Sequence, residues 1–352
     1  MPLSPFPQPT VFERGSGEPS LRWGLIGPGW IAGEFVDAVH AHSEQRFVAV
    51  ASRSADRAAA FARAHGIDGA FGSADEMLGR SDIDVVYIAS PPGAHLGEGL
   101  AAIAAGKHVI IEKPLTSTAV EAQTLADAAR SAGVLLMEAM WTRYLPQTSV
   151  IQRLLDDGAL GDVRSLLANH GQAIPAGPGH RLYRSDLGGG ALLDLGIYPV
   201  QFDSMVLGAP TRVVAVGGMT DTGVDAYSSI ILTHEGGAQS TLTTSMITRT
   251  PNSAVIAGSE AHLELGSSFY TPTTLTLTGN GAVGETNSWS DSTGLRGFDA
   301  LSWEATALAR FVGEGRTESP LHTLDETVSI LATIDRAREQ LELQALAVHE
   351  AR

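Results

Sequence analysis

The chain has 352 residues, and a chain of this length usually divides into two domains because a single core stops growing at about 250–300 residues. Its formal net charge of −16 argues against nucleic-acid binding, which depends on Lys and Arg side chains that meet phosphates. The absence of cysteine excludes disulfides, thiolate zinc sites and a cysteine nucleophile. No apolar run is long enough to span a bilayer, and the proline-rich residues 1–20 lack the apolar segment of a signal peptide. We therefore expect a cytoplasmic protein with a flexible extension over residues 1–20.

Short apolar runs alternate with helical segments over residues 21–144. The runs that predict strands are 21–26, 47–51, 85–89, 108–111 and 134–137, and the predicted helices between them are 31–40, 57–65, 96–105 and 118–132. Thr118 and Glu121 have the spacing of a capping box at the start of the last of these helices. Strands that are apolar throughout and alternate with helices predict a parallel sheet covered on both faces. Residues 21–144 are therefore predicted to form a doubly wound α/β Rossmann domain.

The pattern changes after residue 144. One more helix is predicted at 147–155, followed by strands at 213–217, 228–233, 239–246 and 275–277 and by helices at 299–312 and 325–341. Strands rich in Thr, Val and Ser between turn residues predict a mainly antiparallel sheet with one polar face. We expect an α+β substrate domain over residues 145–322, and a C-terminal helix within 323–352 that packs back on the Rossmann domain.

A glycine-rich loop follows the first predicted strand and opens the first helix. Gly27, Gly29 and Ala32 stand in the pattern G-x-G-x-x-A, with Trp30 and Ile31 between the last two. The first glycine allows a tight turn, and the second lets the backbone approach a pyrophosphate at the helix N-terminus. A plain glycine–proline turn is the alternative, but the strand–turn–helix context favours a dinucleotide site that includes all five residues.

The end of the second strand predicts which dinucleotide is bound. NAD-binding domains usually place a carboxylate there to bond the ribose 2′-hydroxyl, whereas this chain has Ser52 and Arg53, with Arg57 on the next helix. A hydroxyl and guanidinium groups favour a 2′-phosphate, which a carboxylate would repel. The sequence therefore predicts NADP as the cofactor. The alternative is that Arg53 is a solvated side chain and that NAD serves as well.

Glu112, Lys113 and Pro114 come directly after the fourth predicted strand. Ligands of open α/β sheets bind beyond the carboxyl ends of the strands, which places Lys113 at the rim of the active site. The alternative is an ordinary solvated surface lysine. The proline restricts the backbone at this point.

The ordered set of motifs resembles the glucose–fructose oxidoreductase/inositol dehydrogenase (Gfo/Idh/MocA) family over about residues 21–340. The set consists of the loop at Gly27, the segment 112–114, and the glycine run 188–190 that leads to Asp194 and Tyr198. The resemblance implies a nucleotide-binding domain followed by an open-faced sheet domain. It also implies dimers or tetramers that assemble through that sheet.

Much of this family carries Asp-x-x-x-His where the chain has Asp194 and Tyr198. The tyrosine, together with the segment 137–143, resembles the branch that contains trans-1,2-dihydrodiol dehydrogenase and NADP-linked D-xylose dehydrogenase. A tyrosine also occupies this position in some sugar 3-ketoreductases. The resemblance implies hydride transfer to or from a sugar, a polyol or a cyclic trans-diol. It leaves the substrate, the direction and the pathway open.

Asp194, Tyr198 and Lys113 are the predicted catalytic residues. Asp194 and Tyr198 are four residues apart on a predicted helix and would share one face. Oxidation of an alcohol releases a proton, and a phenol with an ordinary pKa of about 10 becomes a useful base only beside a cation such as an ammonium. Tyr198 assisted by Lys113 is therefore a sensible acid/base pair, and Asp194 could pair with Lys113 or bond a substrate hydroxyl. The alternatives are core packing for Tyr198 and a surface carboxylate for Asp194.

Further contacts are expected from loops at the same edge of the predicted sheet. In the family the segment after the third strand lies along the cofactor, which implies contacts from Ser90, Pro91 and His95, although a helix-start histidine often has no ligand. Trp141 and Arg143 follow the fifth strand and could contact cofactor or join the two domains. Glu112 and Lys113 complete the expected cofactor contacts, and the weaker substrate candidates are Trp141, Arg181, Tyr183 and Asp194.

Three functions remain open at this point. The first is an NADP-dependent dehydrogenase of sugars, polyols or cyclic diols that is a homodimer or homotetramer, with no nucleic-acid or membrane partner. The second is a reductase of a nucleotide-linked keto-sugar, and the third is a non-catalytic NADP-binding regulator. A regulator needs neither Lys113 nor Tyr198, so their presence favours an enzyme. The scattered histidines predict no metal site, and hydride transfer to nicotinamide needs none.

Overall fold

The computed structural model describes residues 3–175, 177, 179–281 and 284–350, which fall into two compact units. The Rossmann unit comprises Val11–Leu145 and Leu295–Val328. The sheet unit comprises the described residues up to Thr10, those within Pro146–Gly294, and those from Ser329 onwards.

The Rossmann unit contains a parallel sheet whose strands alternate with helices. In chain order its elements are β1 (Arg22–Ile26), α1 (Trp30–His42), β2 (Arg46–Ala51), α2 (Ala55–His65), β3 (Gly69–Phe71), α3 (Ala74–Leu78), β4 (Val85–Ile88), α4 (Pro92–Ala104), β5 (His108–Glu112), α5 (Ala119–Ala132) and β6 (Leu136–Ala139). In the described part of the chain the six strands have the order β3-β2-β1-β4-β5-β6, and every neighbouring pair is parallel. The predicted doubly wound α/β fold is confirmed.

Local sequence fixes several of these elements. The side chain of Thr118 accepts the amide of Glu121, as the capping-box spacing predicts, and Gly133 ends α5 in the left-handed conformation with φ 67°. The central strand β4 is buried from end to end, and the ring centroids of Phe35 and Tyr87 lie 4.2 Å apart in a stacked arrangement in the core. The pair β3 and α3 is absent from the sequence prediction, because three half-exposed residues carry too little periodic signal.

The sheet unit is built on a larger, mostly antiparallel sheet. Its elements are α6 (Pro146–Asp156), β7 (Val163–Gly171), α7 (Ile197–Leu207), β8 (Arg212–Met219), β9 (Asp225–Thr233), β10 (Gln239–Ser245), β11 (Ala254–Gly258), β12 (Ala261–Leu265), β13 (Thr274–Gly279) and β14 (Thr286–Ser290). Among the described residues the strand order is β14-β13-β12-β11-β7-β10-β9-β8, and only the pair β7 and β10 is parallel. This confirms the predicted open-faced antiparallel sheet, although β7, β11, β12 and β14 were missed by the sequence prediction.

The sheet was expected to have one apolar and one polar face, but its exposed face also carries apolar side chains. Along β9, Ile230 and Leu232 are buried, whereas Tyr227 and Ile231 stand on the opposite face with 46% and 47% of their surfaces exposed. Neighbouring strands add further exposed apolar side chains to that face, namely Leu167, Val214 and Val216. The expected polar face is therefore interrupted here by an apolar patch, because β-branched and aromatic residues suit a strand on either face.

The remaining elements lie outside the domains to which the sequence boundaries assigned them. The helix α8 (Ser302–Gly313) belongs to the Rossmann unit rather than to the predicted domain 145–322. The last helix, α9 (Leu324–Glu350), belongs to the Rossmann unit only up to Val328. Beyond that point Gln340 bonds the backbone of β8 rather than the predicted Rossmann domain. Composition changes along the chain do not record which distant segments pack together.

The proline-rich start of the chain, expected to be a flexible extension, makes specific contacts. The amide of Thr10 donates to Ser149 Oγ at 2.7 Å in the sheet unit. In the Rossmann unit the ring of Phe12 is buried and lies 6.1 Å from that of Tyr144 and 6.0 Å from that of Phe311. Burial of one aromatic ring is enough to hold a short segment against a surface. None of the helices in the described part of the chain is long and apolar enough to cross a membrane.

Candidate active site

The loop between β1 and α1 has the geometry of a phosphate-binding turn. Gly27 has φ 89°, and a Cβ there would stand 2.5 Å from the amide nitrogen of Ser90, so only glycine fits. A Cβ on Gly29 would meet nothing nearer than the carbonyl oxygen of Gly27 at 3.9 Å, which leaves the outer side of the loop open. In this described segment no side chain caps the first turn of α1. Its unpaired amides therefore fit a pyrophosphate.

Two arginines lie beside this loop. Arg53 and Arg57 are exposed, and Nη2 of Arg57 donates to the carbonyl oxygen of Pro28 at 3.4 Å. Ser52 is half-buried, and its hydroxyl accepts the amide of Ser54. Two cations and a hydroxyl at the end of β2 fit the 2′-phosphate of a dinucleotide.

One carboxylic acid lies close to this cationic edge. Glu98, on α4, bonds the hydroxyl of Ser90. Burial raises the pKa of Glu98, while the Ser90 bond and the charge of Arg53 act in the opposite direction. Glu98 therefore keeps its proton to a higher pH than an exposed glutamate would.

Lys113 is half-buried and follows β5 directly, and the peptide bond from Lys113 to Pro114 is cis. The carboxylate of Glu112, predicted to contact cofactor, is 8% exposed and accepts the hydroxyl of Tyr87 at 2.5 Å. Its second oxygen accepts the amide of Lys113 at 3.1 Å. Glu112 therefore orients the backbone at the start of the loop after β5 that carries Lys113, which we call the lysine loop.

His95, predicted to contact cofactor, is directed at the backbone instead. It is fully buried, with Nε2 2.7 Å from the carbonyl oxygen of Ser90 and Nδ1 3.0 Å from that of Pro114. Burial lowers the pKa of His95, while its contacts with backbone carbonyl oxygens act in the opposite direction. The imidazole joins the loop after β4 to the lysine loop after β5.

Two buried glutamates of the Rossmann unit were not identified as site residues from the sequence. Glu138, on β6, accepts the amide of Leu115 at 2.9 Å and His322 Nε2 at 2.7 Å. Glu304, on α8, is fully buried, and neither of its oxygens has a hydrogen-bond partner in the described part of the chain. Burial, with the charges of Glu112 and Glu138, raises the pKa of Glu304 well above its ordinary value, so this acid is neutral. A charged residue inside an apolar stretch is the sequence signal for such sites.

Arg143 is engaged within the Rossmann unit. It is 4% exposed, and its guanidinium lies 2.6 Å from Glu326 Oε1 and donates to the carbonyl oxygen of Leu321. Burial acts to raise the pKa of Glu326, but His322 and Arg143 outweigh it and lower that pKa to about 2. The guanidinium predicted to bind phosphate or hydroxyl is thus part of a buried ion pair.

Trp141, Phe298 and Trp30 form an aromatic group in the Rossmann unit. The ring of Phe298 lies 6.2 Å from that of Trp141 and 5.1 Å from that of Trp30, which is 67% exposed. Phe298 was missed because nothing local marks its loop. Flat apolar surfaces of this kind suit a nicotinamide ring or the apolar face of a cyclic substrate.

Tyr198 lies near the start of α7 in the sheet unit. A π-helical turn, Leu192–Gly196, precedes α7, so Asp194 and Tyr198 do not share one regular α-helix as the spacing predicts. Tyr198 is 8% exposed, and its ring lies 4.7 Å from that of Tyr270 and 5.3 Å from that of His170. The two neighbouring rings were not predicted, because they follow strand signals too weak to place them.

The predicted substrate residues of the sheet unit divide into two groups. Asp194 Oδ1 accepts a hydrogen bond from Arg181 Nη2 at 2.7 Å, so these two side chains form one polar pair. Tyr183 is 7% exposed and packs in the apolar cluster with Leu182 and Leu195, which indicates a structural role. The pair of Arg181 and Asp194 is therefore the part of this set that can meet a substrate.

Comparison with known proteins gives the same class for both halves of the chain. Residues 21–140 match a family described as "Oxidoreductase family, NAD-binding Rossmann fold", and residues 149–264 match the "GFO/IDH/MocA C-terminal domain". Trans-1,2-dihydrobenzene-1,2-diol dehydrogenase of Xenopus laevis is 34% identical over 326 residues, which cover 92% of this chain and 98% of that protein. The enzyme of the same name from Sus scrofa is 34% identical over 333 residues, covering 92% and 97%.

Solved structures are similar over the same extent. KijD10, a 3-ketoreductase from Actinomadura kijaniata in complex with NADP and TDP-benzene, has a TM-score of 0.79 and 29% identity, covering 92% of this chain and 98% of that chain. Levoglucosan dehydrogenase in complex with NADH has a TM-score of 0.83 at 20% identity, with the same coverage, and supports the fold alone. Fold and phosphate loop together define an NAD(P)-dependent oxidoreductase. The chain belongs to the Gfo/Idh/MocA oxidoreductase family.

Proposed function

We propose that this protein transfers a hydride between NADP and a CH–OH or C=O carbon of a sugar, polyol or cyclic trans-diol. The observation that carries the proposal is the phenol of Tyr198, packed against the rings of His170 and Tyr270 at the start of α7 in a chain that also has a complete phosphate loop. The names of the relatives at 34% identity support a cyclic trans-diol as substrate. Structures of KijD10 include variants in which a tyrosine is replaced by phenylalanine and a lysine by alanine, which supports one tyrosine and one lysine as key groups.

The reaction needs a hydride acceptor or donor, which is the cofactor, and a group that transfers the proton, which the protein must supply. NADP, when bound, supplies the centre that accepts or returns the hydride. The residues of the chain must remove the hydroxyl proton during oxidation and return it during reduction. We assign this proton to the phenol oxygen of Tyr198, with the ammonium of Lys113 stabilising the phenolate. The pair of Arg181 and Asp194 would bond a substrate hydroxyl and so orient the reacting carbon.

A substrate panel tests this function. The purified protein would be mixed with NADP and aldoses, inositols, anhydrosugars or cyclic trans-diols, and turnover followed at the absorbance of the reduced nicotinamide. We expect turnover with at least one of these classes. Turnover only of a TDP-linked keto-sugar with NADPH would favour the second candidate function, which the likeness to KijD10 supports. Absence of turnover with every class, alongside tight NADP binding, would favour a regulator.

The choice of NADP rests on Arg53. We expect Arg53→Ala to weaken NADP binding by about 10- to 100-fold, because one charge-assisted contact to phosphate is worth about 1.5–3 kcal/mol. Binding of NAD should change by less than about threefold, since NAD lacks the 2′-phosphate that the guanidinium would bond. Nicotinamide fluorescence titration measures both affinities. Arg63→Ala, at an exposed position of the following helix α2, is the matched control. Equal losses for both cofactors would show that Arg53 does not contact the 2′-phosphate.

We further propose that two copies of the chain associate through the exposed face of the larger sheet. Val216 and Ile231 are 56% and 47% exposed on that face, and apolar patches of this kind usually mark an interface. Ile231→Lys should shift the protein towards the monomer in analytical ultracentrifugation by raising the dissociation constant at least about tenfold. Glu235→Lys, exposed at the end of β9, is the control. An unchanged mass for Ile231→Lys would exclude this face.

The cytoplasmic location stays a prediction.

A further inference from the structure

The helical segment that carries Asp194 and Tyr198 is attached to strand β9 at its first turn. Asp225 is 3% exposed, and its Oδ2 accepts the amide of Leu192 at 2.6 Å. A carboxylate at this place pairs a helix-start amide and interacts favourably with the positive end of the helix dipole. Every group in this contact belongs to the sheet unit.

The glycine run before the helix is explained by this contact. Gly190 has φ 112°, and a Cβ there would stand 2.2 Å from Oδ1 of Asp225. A Cβ on Gly189 would stand 2.6 Å from the carbonyl oxygens of Leu182 and Arg184. The run thus lets the backbone approach the carboxylate of a sheet residue, rather than only a ligand.

A second carboxylate holds the same helix further along. Asp203, on α7, is buried, accepts the hydroxyl of Ser240, and lies 3.3 Å from His234 Nε2. The segment that carries Tyr198 is therefore held on both sides to the pair of strands β9 and β10. A side chain on such a segment has little freedom to shift.

We propose that Asp225 is a positioning residue of the reaction: its carboxylate fixes the first helical turn and thereby the places of Asp194 and Tyr198. This inference rests on the function proposed above for Tyr198. Both oxygens of a carboxylate accept hydrogen bonds, and the amides of Leu192 and Ala191 both act on this group. An amide side chain offers one acceptor and would turn its NH2 group towards a backbone N–H.

The negative charge of the Asp225 carboxylate lowers the stability of the fold. Burial raises the pKa of Asp225 to about 6, although the amides of Leu192 and Ala191 and the charge of Arg338 favour the carboxylate. Arg338 and Glu342, from α9, line the same small cavity, and the pair of Arg181 and Asp194 lies at the same helix start. Because the folded-state pKa exceeds the ordinary value, the charged form destabilises the fold above pH 6. The penalty is relieved as the pH falls through that value.

Asp225→Asn separates positioning from support of the fold. We expect kcat to fall by about 10- to 100-fold, because small displacements of a reacting group cost this much. The dissociation constant of NADPH, measured by fluorescence, should stay within about twofold, since the phosphate loop lies in the other unit. The melting temperature at pH 8 should stay close to that of the wild type, because removal of the buried charge offsets the loss of one acceptor for a backbone amide. Asp221→Asn, in the exposed turn before β9, is the matched control.

Three outcomes would overturn the inference: a wild-type kcat in Asp225→Asn, a loss that Asp221→Asn matches, or a loss accompanied by a lower melting temperature. Tyr198→Phe, assayed in parallel, separates the two proposals. If that variant stays active, the proposed function fails. If it is inactive while Asp225→Asn turns over normally, only the positioning role fails.

Hydrogen exchange of the wild type gives a test that needs no variant. Opening of the helix start exposes Asp225 to water, where its pKa returns to about 3.9. Exchange in peptides that contain Leu192, corrected for the intrinsic pH dependence, should therefore slow by about tenfold between pH 7 and pH 5. Peptides from α6 should show no such change. Equal behaviour of the two regions would contradict the role of Asp225 at the helix start.

Discussion

Tyr198→Phe is expected to lower kcat by about two to four orders of magnitude, because it removes the group proposed to exchange the proton with substrate. The aromatic contacts with His170 and Tyr270 need only the ring, so the fold and the affinity for NADP(H) should stay close to those of the wild type. Steady-state kinetics with the substrate found in the panel, combined with fluorescence titration of NADPH, measures both quantities.

Tyr270→Phe is the matched control for this prediction, since it removes a hydroxyl from the ring next to Tyr198. Its kcat should change by less than about fivefold, as expected for a group without a proton-transfer role. Near-normal turnover of Tyr198→Phe would refute the acid/base assignment. Equal losses in both variants would indicate a general disturbance of the aromatic contacts.

Lys113→Ala should lower kcat by about two orders of magnitude or more, because the phenolate then lacks a neighbouring cation. Loss of the ammonium should also change the pH dependence of the oxidation rate. A phenol without the ammonium loses its proton at higher pH, so the rising limb of the rate should move to a pH higher by about one unit or more. The pH profile of kcat measures this shift. Lys113→Arg, which keeps the charge, should retain the wild-type limb at a lower rate.

A double variant tests whether the two groups act as one unit. If Tyr198 and Lys113 serve the same proton transfer, removal of both should cost no more than about threefold beyond the worse single variant. Independent roles would make the two losses multiply. Lys113 has no part in the acid/base step if two results occur together. The rising limb of the pH profile of Lys113→Ala stays at the wild-type pH, and the losses of the two single variants multiply in the double variant.

Much of the Rossmann unit could be predicted because its signals are local. The strands β4 and β5 each contain a run of four buried residues, and Thr118 and Gly133 mark the two ends of α5 by their own chemistry. The larger sheet was harder to predict, since a mostly exposed edge strand such as β14 has a polar sequence. Its register depends on partners far along the chain, which no local window contains.

The site divides in the same way. Gly27, Lys113 and Tyr198 stand in short motifs whose chemistry can be recognised from neighbouring residues. The partner of Arg143 is Glu326, 183 positions away, and no local pattern indicates that this guanidinium is already paired. The contact of Asp225 with Leu192 spans 33 positions and could be found only from the packed structure. Long-range pairing decides which candidate side chains remain available to a ligand.

The imidazole of His95 also limits how the cofactor side of this enzyme can be redesigned. Its two ring nitrogens lie within hydrogen-bond distance of the carbonyl oxygens of Ser90 and Pro114, so the ring ties the positions of the two loops to each other. Insertions or deletions in either loop would also misalign the other, so the two should be transplanted between homologues together as one cassette.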